Sequence, residues 1–383
     1  MPIPVKDKIV LSPDQDKAVE AILAFWQKRR GVLTFGGYAG TGKSTCLAEA
    51  MRLWKKRGKD TTFAFASLTG KAAEVLRGKL NAAGICPDRC GTIHSLIYSP
   101  IEDKETGEVK WLKAEEIPYD YIVIDEASMV NSEIYRDLLS FKKPILFCGD
   151  HGQLPPVNDS FNLMEKPDIR LDKIHRQVEN SPIIKVATMA REDGYIPVGV
   201  YGDYVRKITD WGILERIDRP DDCMVIVNFN NTRVLFNEAV RRHLGILDPN
   251  PIKGDKVICL KNRAEAGIFN GMVGLIQSIE EFTDKTWDVE VEFDSGHSYS
   301  GIIAKSQFNH PTTLKIIPEN TKDDPVDLYD FGFCLTAWKA QGSEHKRVIV
   351  FEQRSSYMDD DMWRRFLYTS VTRSSERLIV VGS

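Results

Sequence analysis

The sequence predicts an α/β protein built on parallel sheets and divided into more than one domain. Three observations carry that reading. The 383 residues exceed what one ordinary core organises. Short apolar runs that end in turn residues alternate with stretches at helical spacing, the pattern of strands joined by crossover helices. The segment Gly37-Tyr38-Ala39-Gly40-Thr41-Gly42-Lys43-Ser44 matches G-x-x-x-x-G-K-[ST] between an apolar run and a helical pattern.

The elements follow in order. Ser12-Pro13-Asp14 reads as an N-cap with proline in the first turn, opening a helix through Ala18, Ile22, Leu23 and Trp26. Gly31 to Phe35 is a short apolar strand, and the glycine-rich loop after it leads into a helix through Leu47, Ala48, Met51, Leu53 and Trp54. Thr61 to Ala66 reads as a strand and Lys71 to Leu80 as a helix. Tyr121 to Ile124 and Pro144 to Cys148 are further strands, ending at Asp125-Glu126 and Gly149-Asp150. Leu96-Ile97-Tyr98 and Val109 to Leu112 flank Asp103 to Gly107, the pattern of an inserted β-hairpin. Met224 to Val227 is a strand, and from Gly254 to about Asp330 short alternating runs separated by turn residues predict a small β-barrel. Helix-and-strand character returns from Phe331 and ends in a strand, Leu378 to Val381.

Composition narrows the function classes. Hydrophobic residues make up 42% and charged residues 28%, ordinary for a soluble protein. No run of about 18 apolar residues marks a membrane span, so no membrane partner is expected. The first residues, Met1 to Asp7, carry no apolar signal core, and a cytoplasmic compartment is expected. The seven cysteines are scattered, and Cys86 and Cys90 have no second pair at zinc-ligand spacing. They are expected as reduced thiols. A net charge of −4 neither demands nor excludes a polynucleotide, because a basic channel can be local on an acidic body.

The glycine-rich loop is a phosphate cradle: successive backbone N–H groups face phosphate oxygens, Lys43 reaches the β- and γ-phosphates, and Ser44 holds Mg²⁺. ATP and Mg²⁺ are therefore the expected cofactors. Asp125 ends an apolar strand and suits a direct or second-sphere Mg²⁺ role. Glu126 beside it suits the general base that polarises the attacking water. Gln153, after the Pro144–Cys148 strand, would sense the γ-phosphate.

The ordered series of motifs resembles superfamily 1 helicases of the RecD-like and phage Dda-like group, which move 5′→3′ on single-stranded DNA. Leu11-Ser12-Pro13-Asp14-Gln15 is similar to that family's Q-motif, whose glutamine, here Gln15, reads adenine. The phosphate loop, with Gly37, Ala39, Gly40, Thr41, Gly42 and Thr45 around Lys43 and Ser44, resembles its first ATPase motif. Asp125 to Met129 and Gly149 to Pro156 resemble the next two. Ile174-His175-Arg176-Gln177 resembles the segment whose arginine reaches the γ-phosphate. Thr336 to Glu344, with Gln341 and Gly342, and Leu367 to Arg373 resemble the last motifs, where Arg373 would be an arginine finger. Trp338 stands where the family usually has histidine; it either stacks on a base or packs.

The resemblance implies two RecA-like motor domains. The first would span 1–95 and 119–165, with a strand-separating pin at 96–118. The second would span 166–253 and 331–383, with an SH3-like barrel inserted at 254–330. It implies a single-stranded DNA track through Thr69, Lys71, Thr92, His94, Asn230, Thr336, Trp338 and Lys339, and a pin carrying Tyr98 and Trp111. Such contacts to phosphates are sequence-tolerant and salt-dependent. Expected partners are single-stranded DNA, single-strand/duplex junctions, and single-strand-binding or replication proteins, with the chain acting as a monomer. Three readings compete: a translocase that does not separate strands or an RNA-directed helicase, a small-substrate P-loop kinase, and a binding module with a degenerate ATP site. The intact Lys43, Ser44, Asp125 and Glu126 oppose the last, and the late arginines with Gln341-Gly342 oppose the kinase.

Overall fold

The computed structural model describes residues 10–58, 60–102, 109–156, 159, 161–174, 181–219, 222–263, 266–294, 296–315 and 325–383. The chain divides into two compact units, residues 1–68 with 72–179, and residues 180–383 with 69–71.

In the first unit the elements run α1 (Pro13–Lys28), β1 (Val32–Gly37), α2 (Lys43–Lys56), β2 (Phe63–Ser67), α3 (Gly70–Ala82), β3 (Arg89–Thr92), α4 (Ile93–Ile97), β4 (Tyr98–Glu102), β5 (Val109–Lys113), β6 (Tyr121–Ile124), α5 (Ser132–Ser140), β7 (Ile145–Gly149) and β8 (Ile169–Leu171). Six strands form one sheet in the order β3-β2-β6-β7-β1-β8, and every neighbouring pair is parallel. Strands β2, β6 and β7 are buried throughout, as a sheet covered on both faces requires. One face packs on α1 and α2 through an aromatic cluster in which Trp26 meets Trp54, Phe63 and Tyr121 edge-on. A capping box fixes the start of α1: Ser12 accepts from the Gln15 N–H, and the Gln15 carboxamide accepts from the Ser12 N–H.

The sequence-based boundary at 165/166 is corrected. Ile169–Leu171 pairs with β1 in register Phe35↔Ile169, so this segment completes the first sheet. Three residues are too short a run to register as a strand in a periodicity count. The expected hairpin at 96–118 is a two-stranded ladder, β4 with β5, from Tyr98↔Lys113 to Glu102↔Val109; residues 96 and 97 belong to α4. Its turn, 103–108, lies outside the described residues.

The second unit holds α6 (Pro182–Glu192), β9 (Gly199–Gly202), β10 (Val205–Ile208), β11 (Met224–Val227), α7 (Asn230–His243), β12 (Lys256–Cys259), β13 (Val273–Glu281), β14 (Thr286–Phe293), β15 (Ser298–Ala304), β16 (Val326–Asp327), β17 (Tyr329–Phe331), β18 (Cys334–Thr336), α8 (Ala337–Ala340), β19 (His345–Phe351), α9 (Asp360–Val371) and β20 (Ser374–Val381). Its main sheet runs β18-β11-β19-β20-β10-β9, parallel except for the edge pair β9/β10. The second sheet is β16-β15-β14-β13-β12-β17. Residues 326–331 close it: Val326–Asp327 pair with β15, and Tyr329–Phe331, one residue on, pair with β12 at the opposite edge. The strict alternation of β14 turns Trp287, Val289, Val291 and Phe293 into the interior.

Two buried ion pairs fasten this closed sheet to α7. Arg233 bonds Asp330 at 2.7 Å, and Arg241 grips Asp255 with two bonds of 3.0 Å. Arg241 also donates to the Asp248 and Asn250 carbonyls and lies 4.2 Å from the Phe331 ring centroid. Removing one partner of such a pair strands the other charge in the interior, at a cost of about 3–5 kcal/mol.

Candidate nucleotide and nucleic-acid site

The glycine-rich loop leaves the C-terminal end of β1 at Gly37 and enters α2 at Lys43. Gly40 and Gly42 have φ of +78° and +86°, a region that a side chain at either position would make costly. Gly42 gives α2 no side-chain cap. The first intrahelical bond runs from the Cys46 N–H to the Gly42 carbonyl at 3.0 Å, so the amides of Lys43, Ser44 and Thr45 precede the helix ladder. They form the positive end of α2 and favour an anion. Thr41 ties the loop internally, its hydroxyl donating 2.8 Å to the Tyr38 carbonyl, and the Lys43 ammonium donates to the Gly37 and Tyr38 carbonyls. Ala39 is half-buried, as is Thr45; Ser44 is exposed.

Gln15 reaches this loop from α1, donating 3.1 Å to the Thr41 carbonyl. With its oxygen committed to the capping box, the buried carboxamide braces the loop.

Asp125 and Glu126 follow β6, anchored where the Asp125 N–H donates 2.8 Å to the Ala66 carbonyl. Glu126 sits at φ +53°, left-handed for a residue with a long side chain; such strain persists only where the surroundings impose it. Lys43, Ser44 and Asp125 line one cavity, with Leu76, Leu80 and Cys148 on its apolar side. Gln153, after β7, is buried. The segment Arg176 belongs to, 175–180, lies outside the described residues.

The sequence reading missed a cluster at the rim of this loop. The Tyr38 ring packs 4.0 Å from His151 between centroids, Arg170 donates 3.3 Å to the Tyr38 hydroxyl, and Asp172 contacts both Arg170 and His151. Burial pushes His151 down to about 4, so the imidazole is neutral at neutral pH. The contributing residues come from three separated segments; only the histidine in Gly149–Pro156 hinted at them.

Thr69 precedes α3 and Lys71 lies in its first turn; both are half-buried. Thr92 caps α4, accepting from the Ser95 N–H at 3.1 Å, so its hydroxyl is engaged in the fold itself. His94 stands 5.6 Å from the Tyr98 ring, and burial lowers its basicity. At the base of the hairpin the Tyr98 hydroxyl donates to Asp137 of α5, and Lys113, its cross-strand partner, lies 3.7 Å from the same carboxylate. Burial and that carboxylate push the Tyr98 phenol up to about 12. Trp111 pairs with Pro100 in the ladder; its side chain is outside the described residues.

In the second unit Asn230 is exposed at the first turn of α7, and Asn228 before it is pinned by Gln353. Thr336 ends β18 and caps α8 by accepting from the Lys339 N–H at 3.4 Å. Trp338 and Lys339 are half-buried in that single turn. Burial, with Arg233 nearby, pushes Lys339 down to about 8. Gln341 is buried and Gly342 takes φ +73°. Arg373, also buried, donates to the Thr369 carbonyl at 3.0 Å and the Ser343 carbonyl at 3.1 Å. Burial and the cations around it, Lys71, Lys256 and Arg373, push neighbouring His345 down to about 3.

Residues 10–208 match the AAA domain family, more than half of the chain. The chain belongs to the AAA domain family. Residues 331–381 match the UvrD-like helicase C-terminal domain. The chain is 26% identical over 411 residues to the ATP-dependent RecD2 DNA helicase of Deinococcus radiodurans, covering 100% of this chain and 50% of that protein. It is 24% identical over 433 residues to the ATP-dependent DNA helicase dda of Enterobacteria phage T4, covering 95% of this chain and 97% of that protein. The fold is similar to that of Bacteroides Pif1 bound to ssDNA, with a TM-score of 0.57 at 19% identity, covering 97% of this chain and 92% of that one. These similarities agree with the resemblance of the motif series to the RecD-like and Dda-like group of superfamily 1. The chain spans half the length of RecD2.

Proposed function

We propose that the chain is an ATP-dependent DNA helicase that translocates 5′→3′ on single-stranded DNA and separates the duplex ahead of it. The observation that carries this reading is the cavity shared by Lys43, Ser44 and Asp125, at the open amino end of α2. Its relatives RecD2 and Dda are named as ATP-dependent DNA helicases. The two parallel sheets correspond to two RecA-like motor domains, β4–β5 to a pin, and the closed sheet between α7 and β18 to an SH3-like barrel.

Lys43, folded onto loop carbonyls, would swing to the β- and γ-phosphates, while the Lys43–Thr45 amides hold phosphate oxygens. Gln15, through Thr41, holds the loop in shape and stands on the adenine side. Ser44 and Asp125 present a hydroxyl and a carboxylate to one cavity, a sparse all-oxygen donor set that fits Mg²⁺ completed by water and phosphate. When bound, Mg²⁺ neutralises charge developing on the transferred phosphoryl group. Glu126 takes the proton of the attacking water, and Gln153 senses the γ-phosphate. Arg176 and Arg373 would supply charge to the transferred phosphoryl group, and Gln341 and Gly342 would contribute to the nucleotide site. Thr69, Lys71, Thr92, His94, Asn230, Thr336, Trp338 and Lys339 form the track, with backbone amides at α4 serving where the Thr92 hydroxyl is engaged in its cap. Tyr98 and Trp111 act at the pin. A reducing cytoplasmic compartment is proposed, in which the seven cysteines, five of them buried, stay as thiols. Among the described residues no helix is long and apolar enough to cross a membrane. The chain acts as a monomer on single-strand/duplex junctions, with single-strand-binding or replication proteins as partners.

Unwinding of duplexes carrying a 5′ or a 3′ single-stranded tail tests this directly. ATP-dependent strand separation from the 5′ tail alone is expected. Separation from the 3′ tail alone refutes the polarity; ATP turnover without DNA stimulation refutes the translocase.

A further inference from the structure

One face of the second unit's main sheet carries a row of arginines that none of the roles above uses. Arg347 on β19 stands directly opposite Arg377 on β20, and Arg206 on β10 follows one pleat on, opposite Ile379. Like charges facing each other across strands are unfavourable, so such a row calls for counter-charge. Arg347 has it, from Asp222 at 3.8 Å and the Asp218 carbonyl at 3.1 Å. Among the described residues neither Arg206 nor Arg377 enters an ion pair; Arg377 lies over the Tyr204 ring, 4.5 Å from its centroid. All three arginines line one groove, together with Arg216, Ile213, Ile217 and Ile379 and two carboxylates, Asp203 and Asp218.

The row continues onto the edge of the sheet. Arg206 is paired with Val200 of β9, the last strand in the order, and no described strand pairs with β9 on its far side. Val200 is 79% exposed and Tyr204 58%. An open edge with apolar side chains is a template for an added strand, one that folded proteins normally blunt with charge.

We infer that this surface docks an extended acidic segment of a partner protein, added beside β9 with apolar side chains on Val200 and Tyr204 and a carboxylate reaching Arg206, and continuing past Tyr204 into the groove to place a second carboxylate on Arg377. A peptide meets both halves of the surface. Its backbone pairs with the strand edge and its carboxylates match the arginines bidentately. A phosphodiester backbone has no repeating N–H and carbonyl groups at strand spacing to pair with β9. A second copy docking through the same edge would supply Val200 and Tyr204 again and no carboxylate from its own β9 for Arg206.

The test uses peptides of about ten residues alternating glutamate with leucine or valine, the same peptides with lysine for glutamate, and an oligothymidylate of similar length. Each is titrated by fluorescence anisotropy against the wild-type chain, Arg206→Glu/Arg377→Glu and Val200→Asp. The acidic peptides are expected to bind wild type at least about tenfold more tightly than the lysine peptides, and to lose about that factor in both variants. The thermal unfolding midpoint is expected to stay unchanged. No binding of acidic peptides to wild type, or equal binding in all three proteins, overturns the assignment. Selective loss of oligothymidylate binding would make the face a nucleic-acid surface, and a dimer dissolved by the variants would make it a self-contact; either also overturns it.

Discussion

Lys43 and Lys339 each stand in the first turn of a helix that follows a parallel strand, β1 in the first unit and β18 in the second. The helix starts differ. Before Lys43, Gly42 offers no side chain and leaves three amides open. Before Lys339, Thr336 closes its helix with a hydroxyl on the Lys339 N–H. An uncapped helix start leaves backbone amides for an anion, and a capped one closes them. The difference teaches that one strand-to-helix plan opens or closes its amides according to whether glycine or threonine stands at the cap; the proposed fuel site has the open start and the proposed track the closed one.

The largest expected effect breaks the comparison from the fuel side. Arg373→Ala loses about 10³-fold or more in turnover at saturating ATP, with nucleotide affinity held. The opposite pattern, weakened affinity with full turnover, takes Arg373 away from the transferring phosphate. Glu126→Gln loses about 10²–10⁴-fold in turnover while a fluorescent ATP analogue still binds; a variant as fast as wild type assigns the strained backbone at Glu126 to folding alone.

The track side is sharpened by pH. Lys339 loses its proton as pH rises through about 8, so affinity for single-stranded DNA falls between about pH 7 and 9. Its folded value lies below the unfolded one, so the unfolded chain binds more protons between the two, and stability rises with pH in that window. Binding and stability thus move in opposite directions. Lys339→Gln flattens both profiles, and a binding profile that stays sloped in that variant assigns the charge elsewhere. The smallest effect is at the cap: Thr336→Ala costs about 1 kcal/mol of stability in the second unit, read by urea unfolding. A null result there means the α8 amide finds another acceptor.

Much of this was legible in the sequence because it depends on local pattern. Ser12-Pro13-Asp14 announced α1, the glycines announced the loop, and the alternation from Trp287 to Phe293 announced a strand with one buried face. What escaped depends on pairing between distant residues. Ile169–Leu171 is a strand because β1 has an open edge, and closure of the second sheet rests on two short runs around Leu328. The same holds within the site. Lys43, Ser44 and Asp125 were readable from residue type and strand ends, whereas the Tyr38–His151–Asp172 cluster exists only by packing. Thr92 shows the converse: residue type suited a phosphate contact, and the fold uses the hydroxyl as a cap.

In the proposed motor, single-stranded DNA drives hydrolysis at the Lys43 loop. The direct measurement is steady-state ATP hydrolysis by wild type and Lys43→Ala, each with and without oligothymidylate. Turnover is expected to rise about tenfold or more with DNA in wild type and to be abolished in the variant. Hydrolysis that ignores DNA, or that survives in Lys43→Ala, would contradict it.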